Sequence, residues 1–488
     1  MVGKVKIHSV KYNFIMNFIL TASSFIFPLI TFPYVARVLG PAGNGLVAFA
    51  SSTSNYFLMV ASLGIPTYGI RACAQVREDN DLMSKTAQEI LLINFVITCF
   101  ATISYVACIM LIPQFSQEKT LFLVYGLSVF INMFGADWLY QAMEQYDYIT
   151  VRSIAFKLVS IVLMFLFVHC SDDYIVYASI CVFAAVGSNI LNLMRLPKLI
   201  AFKKYSNYHF IRHLKPILIL FAQNLAISIY TNLDTVMLGF MKSSEEVGYY
   251  NVATSLKGVL LSLVVSLGTV LLPRMSLCAK KKDSDNFERL LVTALNFTIC
   301  LSIAIVAYCI IEAPDMILLL AGAGYEPAIT VMQIISIAVI ANGLSGVLGT
   351  QTLIALEREN VVLFSVAIGA MLDLSLNIIL IPSFGANGAA FSTVITEFTV
   401  AIIQIIALKT ILLRNRHLVH LARYICCGLV AGLACSLCCY MLDSSFVLFR
   451  AIVSFVVFVV CFAILLIIYK DEFVTSLPGV SRFMKNGM

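Results

Sequence analysis

Four ionisable side chains stand inside long apolar runs of the sequence: Asp234, Lys257, Asp373 and Glu397. If those runs cross a bilayer, each such group costs about 2.5–3.5 kcal/mol on insertion scales and is by default a functional candidate. Two carboxylates in a low-dielectric site can share a proton or bind a sodium ion, and a lysine at similar depth can bind an anion. These positions therefore predict ion binding in a polar interior.

Asp373 and Glu397 are the principal candidates for ion coupling. They fall near mid-depth on neighbouring apolar spans of opposite direction, and Asn377, one turn after Asp373, adds a neutral oxygen donor. Asp234 is a further candidate carboxylate. The alternative is that these groups are hydrogen-bonded to Ser, Thr or backbone carbonyls across the bundle. The expected coupling ion is a proton or sodium; no other cofactor and no metal site is predicted.

Lys257 is the basic residue that cannot easily reach a membrane interface, so it is predicted to bind an anionic ligand group; the alternative is a structural pair with Asp234. Arg37, Arg71 and Arg274 lie at the ends of apolar spans, where a long side chain reaches the interface cheaply. Arg71 and Arg274 could capture a cargo headgroup at the inner mouth, and anchoring of helix ends is the alternative.

Asp137 and Glu144 are seven residues apart, so they share one face of a helix near its inner end. Glu144 and a second glutamate, Glu357, are predicted to form a gate with Arg152 and Arg358 respectively. A helix-end cap or a loop salt bridge is the alternative for both.

Amide side chains stand at the start of two spans: Asn13 and Asn17 on the first, and Gln223 and Asn224 on the seventh. Amides suit ligands rich in hydroxyls, but interhelical hydrogen bonds would explain them equally well. Asn17, Gln223 and Asn224 are therefore candidate ligand contacts with a structural alternative.

The elements that would position these residues are membrane spans. Of the 488 residues, 60% are hydrophobic and 12% are charged, against about 25% charged in ordinary soluble domains. Soluble, fibrous, disordered and nucleic-acid-binding proteins are excluded, and the net charge of +6 is a topology signal. Fourteen candidate spans begin near residues 12, 44, 89, 119, 153, 173, 216, 247, 290, 328, 361, 386, 422 and 446.

The distribution of cations predicts the orientation. With the N-terminus inside, 27 of the 32 Lys and Arg residues fall on inner segments, four on outer segments, and Lys257 alone at membrane depth. Cytoplasmic loops retain Lys and Arg. Both termini are therefore predicted to be cytoplasmic.

An internal parallel repeat of about 200 residues is visible, and in a transporter such a repeat places the pathway between two halves. Gly40 and Gly45 correspond to Gly239 and Gly248, and Glu144 corresponds to Glu357. The predicted organisation is a six-helix lobe over residues 1–215, a second over 216–412, and two more helices with a tail over 413–488.

The fourteen cysteines form no framework. Cys435 and Cys438 have CxxC spacing without a histidine or a second CxxC, so they are interpreted as small-residue helix packing. Gly428 and Gly432 form a GxxxG pattern that predicts a close helix contact. Nucleotide-binding and hydrolase motifs are absent, so the chain is predicted not to be an enzyme.

Four segments carry a resemblance to a known family: 33–41 (PYVARVLGP), 137–144 (DWLYQAME), 232–250 (NLDTVMLG through EEVGYY) and 385–390 (GANGAA). They resemble the polysaccharide-export branch of the multidrug/oligosaccharidyl-lipid/polysaccharide exporter superfamily, in particular Wzx-type flippases. The resemblance implies two six-helix lobes that move undecaprenyl-diphosphate-linked repeat units of O-antigen, capsule or exopolysaccharide to the outer leaflet by alternating access. It also implies a bacterial inner membrane, ion coupling, and contact with membrane lipids, a polymerase and a chain-length regulator.

Two alternatives stay open. A multidrug/cation antiporter of the same superfamily would share the architecture, usually with twelve spans. A membrane-embedded polysaccharide polymerase would need carboxylates or arginines on a sizeable outer loop, which this sequence lacks.

Overall fold

The computed structural model describes residues 9–205, 207–414, 420–442 and 447–469, apart from the side chains at 10, 25, 223–224, 226–230 and 267–270. Every regular element in this part of the chain is helical. The chain divides into two compact units, Met1–Gly248 and Tyr249–Met488. The three-part division of the sequence at residues 215 and 412 stays a proposal.

The helices of the first unit are α1 (Val10–Ser62), α2 (Ile65–Ala74), α3 (Asn80–Leu111), α4 (Pro113–Gln117), α5 (Lys119–Ile131), α6 (Asp137–Ala142), α7 (Tyr146–Phe167), α8 (Tyr174–Val182), α9 (Asn189–Arg195) and α10 (Ile211–Met241). Helix α11 (Ser244–Lys281) begins at the end of this unit and continues into the second. The second unit then contains α12 (Ser284–Leu320), α13 (Pro327–Ser336), α14 (Ala338–Ser345), α15 (Glu359–Ala407), α16 (Lys409–Arg414), α17 (Leu421–Met441) and α18 (Val447–Ile468). The remaining described elements are short. They are single turns of 3-10 helix (Asn132–Phe134, Ser171–Asp173, Leu196–Lys198) and π-helical stretches (Phe183–Gly187, Gly346–Leu353).

The prediction of an all-helical, multi-pass membrane protein is confirmed. Within the described residues, ten helical segments are long and apolar enough to cross a bilayer, or eleven when the bent pair Ser244–Ser266 and Leu271–Lys281 is counted as one span. Two of the ten are of double length, Lys11–Ala74 with 64 residues and Glu359–Ala407 with 49. At 1.5 Å per residue, 49 residues extend about 73 Å, more than twice a ~30 Å hydrocarbon core. Each therefore holds two of the predicted spans, and the total of fourteen stays a prediction.

A glycine with left-handed backbone bends each long helix. Gly40 in α1 has φ 66° and ψ −179°, and Gly385 in α15 has φ 57° and ψ −133°. These conformations cost little only without a Cβ. Proline lies close by at Pro41 and Pro382, where its missing N–H weakens the helical ladder. Pro28 and Pro33 also lie within α1, and helical backbone continues through both to Gly40.

Two glycines that the internal repeat relates to each other make a close backbone contact. A Cβ on Gly45 of α1 would clash with the carbonyl of Ser244, and a Cβ on Gly248 of α11 would clash with the carbonyl of Pro41. Small residues at matched positions thus let the second half of α1 and the start of α11 cross at backbone distance.

The repeat-related glutamates also share an unusual backbone. Glu144 has φ 55° and Glu357 has φ 58°, a region that non-glycine residues rarely occupy. In each case the next residue closes the helix by a long backbone bond, from Gln145 N to Tyr140 O and from Arg358 N to Leu353 O. This is the Schellman pattern, in which glycine usually takes the glutamate's place.

Glycine at position 357 is therefore expected to be better tolerated than alanine. Glu357 is exposed, so the Glu357→Gly and Glu357→Ala variants differ mainly in the Cβ that strains a left-handed residue. We expect Glu357→Gly to be more stable by about 1 kcal/mol in an unfolding titration in mixed micelles. The control is Glu359, in the first turn of α15, where the order should reverse because Gly weakens a helix. Equal stability of the two variants at 357 would contradict the assignment.

The two C-terminal helices pack on α12 inside the second unit. Tyr424, Cys427, Ala431 and Cys435 of α17 are buried in one core with apolar residues of α12 and α18. The predicted GxxxG contact is confirmed: a Cβ on Gly428 would lie 3.0 Å from Ile303, and one on Gly432 would lie 2.8 Å from Ile311.

Candidate functional site

A buried ion-pair network joins α6, α7 and α9 in the first unit. Arg152 donates from Nη2 to Asp137 Oδ1 at 2.8 Å and from Nη1 to Asn192 Oδ1, and Asn192 Nδ2 donates to the same Asp137 oxygen at 2.7 Å. The Arg152 side chain is 2% exposed and that of Asp137 is 40% exposed. These three residues are called the Asp137 cluster below. A carboxylate with two donors on one oxygen keeps its other oxygen available for a ligand.

Local backbone explains why the cluster forms. The chain between α5 and α6 turns at Ala136, which has φ 13° and ψ 24°. Asp137 follows this turn as the first residue of α6. Asn192 holds the turn, because its Nδ2 also donates to Gly135 O at 2.7 Å. Tyr140 donates its hydroxyl to Asn192 O at 2.8 Å, which fixes α9 against α6.

A polar cavity of about 480 Å³ lies beside the Asp137 cluster. Its polar lining includes Thr67, Asn94, Asn132, Asp137, Gln141 and Asn189. Trp138 also lines it, and the buried Nε1 of this side chain has no hydrogen-bond partner in the described part of the chain. The volume is within the ~300–1,000 Å³ of small-molecule sites, and its amides and hydroxyls suit a polar, uncharged ligand group.

The predicted gate pairings are wrong. Glu144 forms its ion pair with Arg77, at 2.5 Å, and accepts a further hydrogen bond from Asn13 Nδ2 at 3.3 Å. Arg152 instead pairs with Asp137. Arg358 donates to Ala407 O at 3.1 Å, and no ion pair joins it to Glu357 among the described residues. The predicted pairings followed proximity along the chain, whereas Glu144 lies in the break between α6 and α7 and Asp137 at the start of α6 meets Arg152.

A second buried chain of polar groups was missed by the sequence analysis. Glu89 of α3 is fully buried, and its Oε2 accepts from Arg212 Nη2 at 2.6 Å and from His213 Nε2 at 2.8 Å. His213 Nδ1 lies 2.7 Å from the Tyr68 hydroxyl of α2. Arg212 Nε also lies 3.1 Å from Nε2. Because an ionised carboxylate only accepts, a neutral His213 with its hydrogen on Nε2 donates to Glu89 and accepts from Tyr68 at Nδ1. Tyr68, His213, Glu89 and Arg212 are called the Glu89 chain.

The signal that could have revealed the Glu89 chain was weak. Glu89 marks the start of the third predicted span, and Arg212 was counted as a loop cation. A carboxylate at the edge of an apolar span normally reaches solvent. Here α10 begins at Ile211, and its first turn carries Arg212 and His213 over Glu89.

Asp373 of α15 is the centre of a third polar cluster, in the second unit. Its Oδ1 accepts from Ser392 Oγ at 2.8 Å and from Thr396 Oγ1 at 3.4 Å, and its Oδ2 accepts from Asn377 Nδ2 at 3.2 Å. All four residues are buried. Asn377 thus contacts Asp373 through its amide nitrogen, the hydroxyl contacts agree with the structural alternative, and the ion-coupling role of the group stays a prediction. Glu397 is also buried, on the same half of α15 as Ser392 and Thr396.

The other candidates lie apart from these clusters. Lys257 is half-buried on α11, and Asp234 is buried on α10. Arg37, Arg71, Arg274 and Asn17 are exposed, and the Arg71 guanidinium lies 5.8 Å from the Tyr68 ring centre. Gln223 and Asn224 lie on α10, with side chains outside the described part of the structure. The roles assigned to these residues stay predictions.

Comparison with known proteins gives a consistent result. A family model described as "Polysaccharide biosynthesis protein" matches residues 10–278, and one described as "MatE" matches residues 220–379. A "Putative O-antigen transporter" of Escherichia coli (strain K12) is 24% identical over 406 residues, which is 82% of this chain and 97% of that protein. A protein of the same description from Shigella dysenteriae is 21% identical over 406 residues, 82% of this chain and all of that protein.

Solved structures share the fold. "Lipid II flippase MurJ, inward closed conformation" superposes with a TM-score of 0.77 at 16% identity, over 94% of this chain and 99% of that one. An inward-facing multidrug resistance MATE family transporter superposes with a TM-score of 0.61 at 12% identity, over 80% of this chain and 95% of that one. At these identities the likeness concerns the fold alone.

Proposed function

Because the chain belongs to the polysaccharide biosynthesis protein family, a transporter family rather than a family of enzymes, we propose that it flips undecaprenyl-diphosphate-linked oligosaccharide repeat units. The direction is from the cytoplasmic to the outer leaflet of a bacterial inner membrane, by alternating access. Both termini are cytoplasmic in this proposal. The chain is a multi-pass membrane protein.

The observation that carries the proposal is the polar cavity beside the Asp137 cluster. Polar groups inside an apolar helical unit are expensive unless they serve packing or a ligand. Several cavity-lining groups are amides or hydroxyls, and the free Trp138 N–H is a spare donor. Sugars present many hydroxyls to such groups. The cavity lies at the predicted inner ends of its spans, where a repeat unit would be loaded.

The chemistry of the cargo explains the charged residues. A diphosphate with polar sugars in bare hydrocarbon would cost tens of kcal/mol on an idealised Born estimate, so the protein must supply a wet and partly cationic passage. The polyprenyl tail can stay in lipid. Lys257 is the proposed cation at depth, and Arg37, Arg71 and Arg274 are proposed headgroup contacts at the ends of spans.

Reconstitution of the full chain tests the proposal. Vesicles containing only this protein should translocate a fluorescent lipid-linked oligosaccharide, and an outside-positive potential of 100 mV should favour export by about 2.3 kcal/mol per negative charge. The "MatE" match to residues 220–379 favours a second candidate, a multidrug/cation antiporter. Gradient-driven uptake of cationic dyes without oligosaccharide translocation would support that candidate against the first. Co-reconstitution with a polymerase and chain-length regulator then tests the proposed protein partners.

Replacing Gln141 tests whether sugar hydroxyls enter the polar cavity. Loss of one hydrogen bond of about 1 kcal/mol should lower oligosaccharide transport at limiting cargo roughly fivefold in a Gln141→Ala variant, with normal expression. Gln117→Ala is the matched control, because Gln117 is exposed at the end of α4. Equal transport by both variants would show that the cavity is not part of the cargo pathway.

Replacing Asp373 tests ion coupling. Asn at this position keeps an oxygen for Ser392 and Thr396 but loses the negative charge that a proton or sodium ion would neutralise. In an Asp373→Asn variant, transport with an imposed proton or sodium gradient should fall to the level without a gradient. Ser375→Ala, on the exposed face of the same helix, should keep its gradient response. Retained gradient stimulation in Asp373→Asn would disprove the assignment, and Glu397→Gln tests the second carboxylate in the same assay.

A further inference from the structure

Two thiols and a carboxylate meet between α12 and α17 in the second unit. Glu312 of α12 is 2% exposed, and its Oε1 lies 2.7 Å from Cys439 Sγ and 3.4 Å from Cys435 Sγ. Cys435 and Cys439 are four residues apart, so they stand one above the other on the face of α17 that packs against α12. This group is separate from the polar clusters described above.

One oxygen of the group has no partner. Glu312 Oε2 is buried and makes no hydrogen bond within the described part of the chain. A buried, unpaired carboxylate oxygen carries a desolvation penalty that a ligand would remove. The carbonyl oxygen of Ser454 on α18 lies 3.7 Å from Cys435 Sγ. The adjacent helix therefore offers a fourth atom that could bind a metal ion.

The spacing of the three side-chain donors suits a small metal ion. Their ligand atoms all lie within 4.8 Å of one another. Around a tetrahedral zinc ion with Zn–S bonds of ~2.3 Å, two sulfurs are roughly 3.8 Å apart. Rotation of the three side chains alone could bring their ligand atoms to the distances found around a zinc ion.

We propose that Glu312, Cys435 and Cys439 bind one Zn²⁺ ion. Thiolate donors select zinc over Mg²⁺ and Ca²⁺, which require oxygen ligands, and two sulfurs with one carboxylate form a typical borderline donor set. On binding, each thiol loses its proton to solvent as a Zn–S bond forms, and Glu312 binds as the carboxylate. No oxidation or reduction takes place.

An ion pair lies one turn from the site. Arg450 of α18 donates from Nε to Asp315 Oδ2 at 2.6 Å, and Asp315 is three residues from Glu312 on the same helix. Two thiolates, one carboxylate and Zn²⁺ together carry one negative charge, and the neighbouring Arg450–Asp315 pair is itself neutral. The ion would join α12 to α17, and through the Ser454 carbonyl to α18. The C-terminal helix pair would thus be fastened to the rest of its unit by a metal as well as by apolar packing.

The CxxC pattern concealed this arrangement. The CxxC spacing singles out Cys435 and Cys438. In the structure, Cys435 and Cys439 instead contact the same carboxylate, that of Glu312 on α12. Helix packing explains the apolar contacts of Cys435. It does not explain why the buried carboxylate of Glu312 lies beside the two thiols.

Zinc binding to the purified full-length protein tests the proposal. After loading with Zn²⁺ and dialysis, elemental analysis should find one tightly held ion per chain above the level in a Cys435→Ser/Cys439→Ser variant. Competition with a chromophoric chelator should give an affinity loss of more than ~100-fold in that variant, since removal of a merely supporting group costs about 10–100-fold. Glu312→Gln should lose affinity with all thiols present.

The matched control is Cys426→Ser/Cys438→Ser, which removes two thiols from the same helix outside the cluster. It should bind zinc as the unmodified protein does. Loading with Co²⁺ gives a readout that does not depend on variant folding, because tetrahedral thiolate coordination produces intense visible bands in the unmodified protein. Absence of those bands, or equal zinc retention by both double variants, would overturn the proposal.

Discussion

An Arg152→Ala variant should lose about 2–3 kcal/mol of unfolding free energy, because the buried Asn192 oxygen loses its donor and the half-exposed Asp137 loses its cation. Arg152 is 2% exposed and donates to both Asp137 and Asn192, which would lose their charged donor together. An unfolding titration in mixed micelles measures the loss directly. Oligosaccharide transport should fall with it, since Asp137 and Asn189 line the cavity next to this network.

Arg358→Ala is the matched control for Arg152→Ala. Both arginines were predicted to pair with gate glutamates, but Arg358 is exposed, and within the described residues it donates only to a backbone carbonyl, Ala407 O. Its replacement should change stability by less than about 1 kcal/mol. Arg152→Lys should recover only part of the loss, because an ammonium cannot reproduce the planar fork that bridges Asp137 and Asn192. Equal, small effects at both positions would refute the buried network.

Local properties of the chain were predictable from the sequence. Long apolar runs determined the spans, since the length needed to cross a bilayer is a property of consecutive residues. The glycine pattern of Gly428 and Gly432 identified a close helix contact for the same reason. The repeat-related pair Glu144 and Glu357 was also found, and the structure adds that both have left-handed backbone.

Ion-pair partners were not predictable, because they depend on the ends of helices. Glu144 has φ 55° in the break between α6 and α7, and across this break Arg152 meets Asp137 and not Glu144. Glu144 instead forms its ion pair with Arg77, which lies in the segment after α2 and is 67 positions away in the chain. Sequence spacing predicts which residues share a helix face, but it carries no information on the angle at which the next helix leaves a turn.

Replacing Glu89 should have an effect at least as large as that of replacing Arg152. Glu89 is fully buried and accepts hydrogen bonds from Arg212, from His213 and, at 2.7 Å, from the backbone N–H of His209. In Glu89→Ala these donors lose their acceptor, and we expect a loss of about 3–5 kcal/mol. The measurement is again an unfolding titration of the purified protein in mixed micelles.

Asp81→Ala is the control on the same helix. Asp81 also pairs with a cation, Lys203 at 2.6 Å, but its side chain is 67% exposed. The hydrogen bond to Asp81 raises the pKa of Lys203, yet an exposed pair contributes little to stability. A similar loss from Asp81→Ala and Glu89→Ala would show that burial is not the cause.

A double-mutant cycle decides whether the Glu89 chain acts as one unit. Tyr68 touches His213 and not Glu89, so Tyr68→Phe and Glu89→Gln alter opposite ends of the same imidazole. Gln at position 89 can present its amide N–H₂ to Nε2, which would then accept and leave the hydrogen on Nδ1, facing the Tyr68 hydroxyl. The two substitutions should therefore be coupled by about 0.5–3 kcal/mol, because the tautomer set at one end fixes the hydrogen bond at the other. Additive effects would mean that His213 does not couple Tyr68 of α2 to Glu89 of α3.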